Sequence, residues 1–568
     1  MHCCHTMQTV FLISLLVVLS SCNPIWQQKT LKDIQSCSSP VYCQGPLLDT
    51  VQRAQIFNDS KTFVDMSQVN SVNITLENFW KLMNATDGTP TRQDIIEFVN
   101  ANFLSQNETV PWTPPDFNEN PSLINKIQDQ NVREFTQNLI KIWPTLGRKI
   151  SPDVYQNPDQ HSILEVPNGF VVPGGRFKEL YYWDSLWIVK GLLISEMYDT
   201  VKGMLENMCY LINQIGFMPN GSRNYFLNRS QPPALTLMIQ EYLKYTKNTA
   251  WVNEIVGCVE SELTFWLENH TKLVEKDGEV YELAHFESES NTPRPESYDK
   301  DLKTCSSYSE ETEKKLCYKS LKSGAETGWD FSTRWFFDDN GGTDTNLTHI
   351  RPQRVVPVDL NAFLCKAFAD LAEFYAISGE PHKEALWQER SNIWQKSIEM
   401  VLYNKEEGIW LDYDPILQKS RNYFYPSNFA PLWAETYNLE NKEEYGKRAA
   451  EYFQRQGIEQ FLGGIPTSLV QSGEQWDFTN AWPPLQEYVV LGLFKTGNNN
   501  ATEIAQLFAK RWVSANMIGY NENQIMFEKY DAVNPGKFGG GGEYVVQSGF
   551  GWTNGVALSF IDTFYTNK

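Results

Sequence analysis

Two carboxylates near the C-terminus sit in the densest polar–aromatic stretch of the chain. Glu528 belongs to Glu528-Lys529-Tyr530-Asp531, and Glu543 ends the run Gly539-Gly540-Gly541-Gly542 and precedes Tyr544. Glycines let backbone come close to a ligand and adopt positive φ, and the glycines that follow alternate with Phe550 and Trp552. Flexible linkers seldom carry Tyr, Phe and Trp at this density, so the stretch reads as a tight sugar-handling loop. A third carboxylate, Asp330, lies in Gly328-Trp329-Asp330-Phe331-Ser332-Thr333-Arg334-Trp335. Flanking rings strip its hydration and raise its pKa toward what a general acid needs, although an Asp there could also cap a helix. Residue types and spacing alone leave Glu528 and Glu543 as rivals for the base.

Further clusters repeat the same residue types. In Pro173-Gly174-Gly175-Arg176-Phe177-Lys178-Glu179-Leu180-Tyr181-Tyr182-Trp183-Asp184, a helix starting after the glycines would put Arg176 and Trp183 about 10.5 Å apart on one face. A guanidinium fork and a carboxylate beside an indole can clamp vicinal hydroxyls and stack a sugar ring. Asn220, Arg229 and Gln231 lie in a turn and a Pro-stiffened loop, and their amides donate and accept as hydroxyls do. Arg294-Pro295-Glu296 offers an Arg–Glu pair on a turn, which by itself reads most simply as a surface ion pair. In Gln475-Trp476-Asp477-Phe478-Thr479-Asn480-Ala481-Trp482-Pro483-Pro484, Asp477 is suited to orient a neighbour and Pro483 to open a helix.

Other chemistries are poorly supplied. Seven His, two of them in the first five residues, leave few for triads or metals. The mature chain has no His-Glu-x-x-His, Cys-x-x-Cys or Gly-x-Ser-x-Gly, and the Gly run lacks a phosphate loop's Lys-Ser/Thr ending. A formal charge of −21 repels nucleic-acid phosphates and anionic membranes. Carboxylates remain as the catalytic groups.

Amphipathic helices must position these loops. Leu360, Phe363, Leu364, Ala367, Phe368, Leu371, Phe374 and Tyr375 follow helical spacing, and Gly379-Glu380-Pro381 ends that helix. A second begins at Lys383 and runs to Leu402, with Leu386, Ile393 and Val401 expected inward. Helix, Gly/Pro break and helix recur over 444–456, 481–494 and 501–517. Short β pieces such as 408–413 are minor. Loosely repeated helical hairpins closing into a ring give an all-α, (α/α)-toroid with its chemistry in long loops at one end; a solenoid is the rival. Residues 22–120, broken by polar loops and ending in Thr109-Val110-Pro111-Trp112-Thr113-Pro114-Pro115, read as an N-terminal arm on a body of 121–568.

Val10 to Leu19 is apolar and is followed by small residues, so 1–21 reads as a signal peptide, too short to span a bilayer. Leu19-Ser20-Ser21-Cys22 also fits a bacterial lipoprotein box. Asn58, Asn73, Asn84, Asn107, Asn269, Asn346 and Asn500 head glycosylation acceptors; Asn220 and Asn228 do too, but near the site are expected bare. Cys37/Cys43, Cys305/Cys317 and Cys209/Cys258 are candidate bridges, leaving Cys365 free. A soluble, secreted product with no membrane partner is expected.

These segments resemble the signatures of the trehalases, a glycoside hydrolase family that splits α,α-trehalose into two glucoses. Residues 173–184 satisfy the signature Pro-Gly-Gly-Arg-Phe-x-Glu-x-Tyr-x-Trp-Asp throughout, and 475–484 match Gln-Trp-Asp-x-Pro-x-Ala-Trp-Pro-Pro except that Thr479 replaces Pro. Arg-Ser-Gln-Pro-Pro, Arg-Pro-Glu-Ser, Gly-Trp-Asp-Phe-Ser, the Gly-rich Glu-Tyr segment and residues 59–65 are similar too. With no anchor, the likeness is to soluble, secreted animal members of insect type. The resemblance implies an (α/α)6 toroid, a cofactor-free and metal-free inverting hydrolysis, Asp330 as acid and Glu528 as base. Arg176, Trp183, Asp184, Asn220, Arg229, Ser230, Gln231, Arg294, Pro295, Glu296, Gly328 and Glu543 fall where the family contacts its sugar. Another toroidal α-glucosidase, or a non-catalytic sugar-binding protein, are the alternatives.

Overall fold

Twelve helices form two concentric rings in the computed structural model, which describes residues 37–105 and 108–566. The leader at 1–21, the Cys22 box and the Asn107 acceptor lie outside the described residues. In chain order the helices are α1 (Gln130–Ile140), α2 (Asp184–Ile194), α3 (Tyr198–Ile215), α4 (Leu235–Thr246), α5 (Val252–His270), α6 (Val358–Ile377), α7 (Pro381–Ser397), α8 (Ala430–Ala434), α9 (Lys442–Arg455), α10 (Pro483–Lys495), α11 (Asn499–Asn523) and α12 (Gly551–Phe564). The even-numbered helices pack in sequence, α2 on α4, α4 on α6, α6 on α8, α8 on α10, α10 on α12 and α12 back on α2, closing an inner ring. The odd-numbered helices lie outside it. This is the expected (α/α)6 toroid.

Composition separates the rings. An inner helix is covered on both sides, so α12 buries every residue from Gly551 to Ile561 and α6 buries nearly all of its length. An outer helix has one wet face, and α9 buries only Gly446, Ala449, Ala450, Tyr452 and Phe453. Where α2 and α12 touch, small residues are obligatory. A Cβ on Gly555 would sit 1.9 Å from the Trp187 carbonyl oxygen, and one on Gly191 2.8 Å from the Gly555 Cα.

Alternation of outer and inner helices decides where the loops emerge. Inner-to-outer connections are short turns, such as 195–197, 378–380 and 496–498. Every polar–aromatic segment instead lies in an outer-to-inner connection: 173–183, 219–231, 294–335, 475–482 and 528–550. In a ring of antiparallel neighbours these all leave from the same end.

Two local expectations are corrected. Residues 174–183 form turns rather than a helix, and α2 begins only at Asp184. In α7, Leu386 and Ile393 face solvent at 48% and 41% exposure. The inward stripe is Trp387, Ser391 and Trp394, continued by Ile398 and Val401; the indoles outcompete the aliphatics for the core because each buries more apolar area.

Residues before 105 build a second apolar cluster, including Phe63, Phe79, Phe98 and Phe103, that continues onto Tyr181, Tyr225, Phe226 and Tyr298 of the body. Beneath it is a buried ionic network. Arg223 pairs with Glu108 and Glu179, and Lys61 pairs with Glu179 at 2.7 Å. Disulfides join Cys37–Cys43, Cys209–Cys258 and Cys305–Cys317, the second tying α3 to α5; Cys365 is free and buried. Asn58, Asn73, Asn84 and Asn346 are exposed, Asn228, Asn269 and Asn500 half-buried, and Asn220 buried. Among the described residues no helix is long and apolar enough to cross a membrane.

Candidate active site

The loops at that end enclose a pocket. Asp330, Glu528, Arg176, Trp183, Asp184, Asn220, Arg229, Gln231, Arg294, Glu296, Gly328 and Glu543 all line it. Two expected sugar contacts do not. Ser230 turns its hydroxyl to the Met218 carbonyl and its N–H to Glu326, and Pro295 presents its carbonyl to Gln52. Both instead brace the loops on which Arg229, Gln231, Arg294 and Glu296 stand.

The side chains are fixed before any sugar arrives. Arg229 donates to Asn220 Oδ1 and Glu296 Oε1, both at 2.7 Å, and Gln231 Oε1 accepts from the Trp183 N–H at 3.1 Å. Arg294 pairs not with Glu296 but with Asp301 at 2.6 Å and Glu543 at 3.2 Å. It is 2% exposed, which excludes the surface-ion-pair reading. Arg176 forks onto Asp59 through two hydrogen bonds of 2.7 Å and lies 4.9 Å from the Tyr544 ring centre. Not every polar atom is satisfied. Arg229 Nη1 and Glu296 Oε2 are buried with no protein partner, a cost that a hydroxyl entering the pocket would relieve.

Gly328 lets the acid loop turn against an indole. Its φ is +77°, and a Cβ there would lie 2.7 Å from the Trp183 ring. Asp330 caps no helix, since the next helical turn starts at Thr333 and is capped by Ser332. Asp477 does orient its neighbours: it accepts from the Ser332 hydroxyl at 3.0 Å, from the Thr333 N–H at 2.8 Å and from the Thr333 hydroxyl at 2.9 Å. Pro483 opens α10 as expected. Strand pairing of Asn480–Ala481 with Tyr530–Asp531 brings this second signature beside Glu528. Thr479 donates to Asp531 at 2.7 Å, a tie that a proline cannot make.

The carboxylates differ electrostatically. Burial pushes Asp330 up to about 7, with Arg294 opposing and Glu543 reinforcing. Burial pushes Asp184 to about 8, helped by the charges of Glu528 and Asp330. Glu528, 1% exposed, is raised by burial, but Lys529, the Tyr544 hydroxyl, the Gln547 N–H and Arg176 pull it back. The Tyr544 hydroxyl donates to Glu528 Oε1 at 2.9 Å. Glu543 is tied to an arginine, whereas Glu528 accepts only from neutral groups.

The sequence assigned no site role of their own to Lys61, Phe177, Tyr181, Phe226 and Trp476, which line the pocket, whereas Tyr544, Phe550 and Trp552 lie in the stretch read as a sugar-handling loop and line it too. Tyr544 carried a signal, since it directly follows Glu543. Lys61 and Asp59 lie in the family-like segment 59–65, but only the fold shows that Lys61 lines the pocket and that Asp59 holds Arg176. Among the described residues, no three His, Cys, Asp or Glu side chains are grouped to hold a metal ion.

This geometry has relatives. The family model described as Trehalase matches residues 55–565. A Tenebrio molitor trehalase is 52% identical over 531 residues, covering 94% of this chain and 96% of that one. A Homo sapiens trehalase is 41% identical, covering 93% and 90%. Among solved structures, the neutral trehalase Nth1 of Saccharomyces cerevisiae superposes with a TM-score of 0.55 at 23% identity, covering 70% and 74%, a likeness of fold. A match across this length places the chain in the trehalase family.

Proposed function

We propose that the protein hydrolyses α,α-trehalose to two glucose molecules with inversion, Asp330 acting as general acid and Glu528 as general base. The observation that carries the reading is the meeting of two buried carboxyls, each with different neighbours, in one pocket. Burial pushes Asp330 up to about 7, so it holds its proton toward neutral pH; burial raises Glu528 as well, but Lys529, the Tyr544 hydroxyl, the Gln547 N–H and Arg176 oppose that rise. Asp330 protonates the bridging oxygen, and Glu528 takes a proton from a water that attacks the anomeric carbon from the opposite face. Inverting pairs stand roughly 6.5–9.5 Å apart to admit that water. Arg229, Glu296, Asn220 and Gln231 meet the hydroxyls, and the indoles of Trp183 and Trp476 form part of the pocket wall. Glu543, paired with Arg294, holds that arginine in place and is spared the base role.

Trehalose bonds two anomeric carbons, so both rings must be recognised. Turnover of trehalose with none of maltose is the expected result; appreciable maltose turnover with none on trehalose contradicts the reading.

The secreted, insect-type character is part of the same proposal. It is supported by the apolar stretch at 10–19, the disulfides, which suit an oxidising compartment, exposed glycosylation acceptors and the Tenebrio relative. Residues 22–120 serve as an arm that completes the site, because Asp59 holds Arg176.

A further inference from the structure

Gln475 touches both halves of the site and has no role in the reading above. It is fully buried. Its Nε2 donates to the main-chain carbonyl of Asp330, and its Oε1 accepts from Lys529 Nζ at 3.0 Å. A carbonyl only accepts and an ammonium only donates, so the amide has a single permitted orientation. Burial raises the Glu528 pKa, and the Lys529 charge is the strongest influence opposing it. One side chain therefore spans from the backbone of the acid to the cation that tunes the base.

The bridge is itself held rigidly. The Gln475 main-chain carbonyl accepts from Asn480 Nδ2 at 2.9 Å and from Trp482 Nε1 at 2.8 Å. Next along the chain, the Trp476 N–H donates to the Phe331 carbonyl at 3.0 Å. Gly542, at φ +93°, covers the side chain so closely that a Cβ there would lie 2.3 Å from Gln475 Cβ. Lys529 Nζ also sits 4.8 Å from the Trp482 ring centre. Burial pulls the Lys529 pKa down to about 8, so its charge beside Glu528 depends on the partners that keep it there.

We propose that Gln475 is a positioning residue for the hydrolysis: it sets the spacing between the acid and base segments and keeps the Lys529 ammonium beside Glu528. The inference rests on the assignment of Asp330 and Glu528 made above. Catalysis is sensitive to such spacing, since a misplacement of about 1 Å can cost about 100-fold.

The test compares Gln475→Ala and the near-isosteric Gln475→Glu with the unaltered protein on trehalose, measuring kcat, KM, the pH profile of kcat/KM and the melting temperature. Gln475→Ala is expected to lower kcat by about 10–100-fold with KM changed less than about threefold. Its acid limb moves to higher pH, because Lys529 loses its anchor beside Glu528. Gln475→Glu keeps a partner for Lys529 but loses the donor to Asp330 and adds a negative charge near Glu528, so kcat falls and the acid limb does not move to lower pH. A kcat within about threefold of the unaltered value overturns the proposal. So does a rate loss that follows the melting temperature with the acid limb fixed in both variants. If Gln475→Ala does not fold, Gln475→Glu decides alone, and an undiminished kcat there is the negative result. Glu528→Gln in the same assay separates the two layers. If it abolishes the acid limb while both Gln475 variants leave kcat and the limb alone, only the positioning role falls. If it leaves the limb in place, the base assignment falls and the proposal with it.

Discussion

At Asp330 and Glu528 burial raises two like groups, and a different set of neighbours opposes the rise at each. Replacing either by its amide, Asp330→Asn or Glu528→Gln, is expected to lower kcat by about 10²–10⁴-fold, with smaller effects on KM. Steady-state kinetics on correctly folded variants checks this, and a near-normal rate for Glu528→Gln would transfer the base role to Glu543. The acid must be protonated, so rate falls as pH rises through about 7; the base must be ionised, so rate falls as pH drops through a value above the ordinary glutamate range. Asp184, near 8 and within reach of both charges, makes the observed limbs properties of the group rather than of single residues. Tyr544→Phe removes a donor from the Glu528 carboxylate, which disfavours its charged form. The acid limb of kcat/KM should therefore move to higher pH, and an unmoved limb would show that this hydrogen bond does not tune the base.

The loops owe their positions to helices that pack almost without clearance. Gly555→Ala pushes a methyl into the Trp187 carbonyl where α12 meets α2; overpacking of this kind costs about 1–3 kcal/mol or more. A lowered melting temperature is expected, with activity lost in proportion to folded protein. Helices such as α6 were legible in sequence because their apolar spacing is long and regular, and Gly379-Glu380-Pro381 marks their end. The inward face of α7 was not legible, since aliphatic spacing pointed to Leu386 and Ile393 while two indoles hold the core. The signature loops showed their residue types plainly but not their pairings. Arg294 looks bound to Glu296 two positions away, yet it reaches Asp301 and Glu543, because partners across loops are chosen by the ring's closure and leave no local trace. Ser230 and Pro295 lie between pocket residues in sequence but are buried against other partners in space for the same reason.

Over the whole molecule, the N-terminal residues are fastened to the toroid by charge as well as by apolar packing. Arg223 neutralises Glu108 and Glu179 in a buried setting, and Glu179 is held at about 2 by Lys61 and Arg223 against the cost of its burial. Arg223→Met leaves both carboxylates short of a cation and should destabilise the protein by about 3–5 kcal/mol, read as a lower melting temperature. Because the folded-state pKa of Glu179 is depressed, its contribution is present above the ordinary glutamate range and is lost as pH falls toward 2. The stability gap between the variant and the unaltered protein should accordingly shrink on acidification. In the proposed mechanism the arm, the inner ring and the outer-to-inner loops together place an acid and a base around one glycosidic oxygen, and the stereochemistry of the product reports on that placement. Proton NMR of the anomers released in the first moments of trehalose hydrolysis is the most direct measurement. One α- and one β-glucose in equal amounts is the predicted result, because inversion changes one ring and the leaving ring keeps its configuration; α-glucose alone would mean retention and would contradict the assignment of Glu528 as a base acting through water.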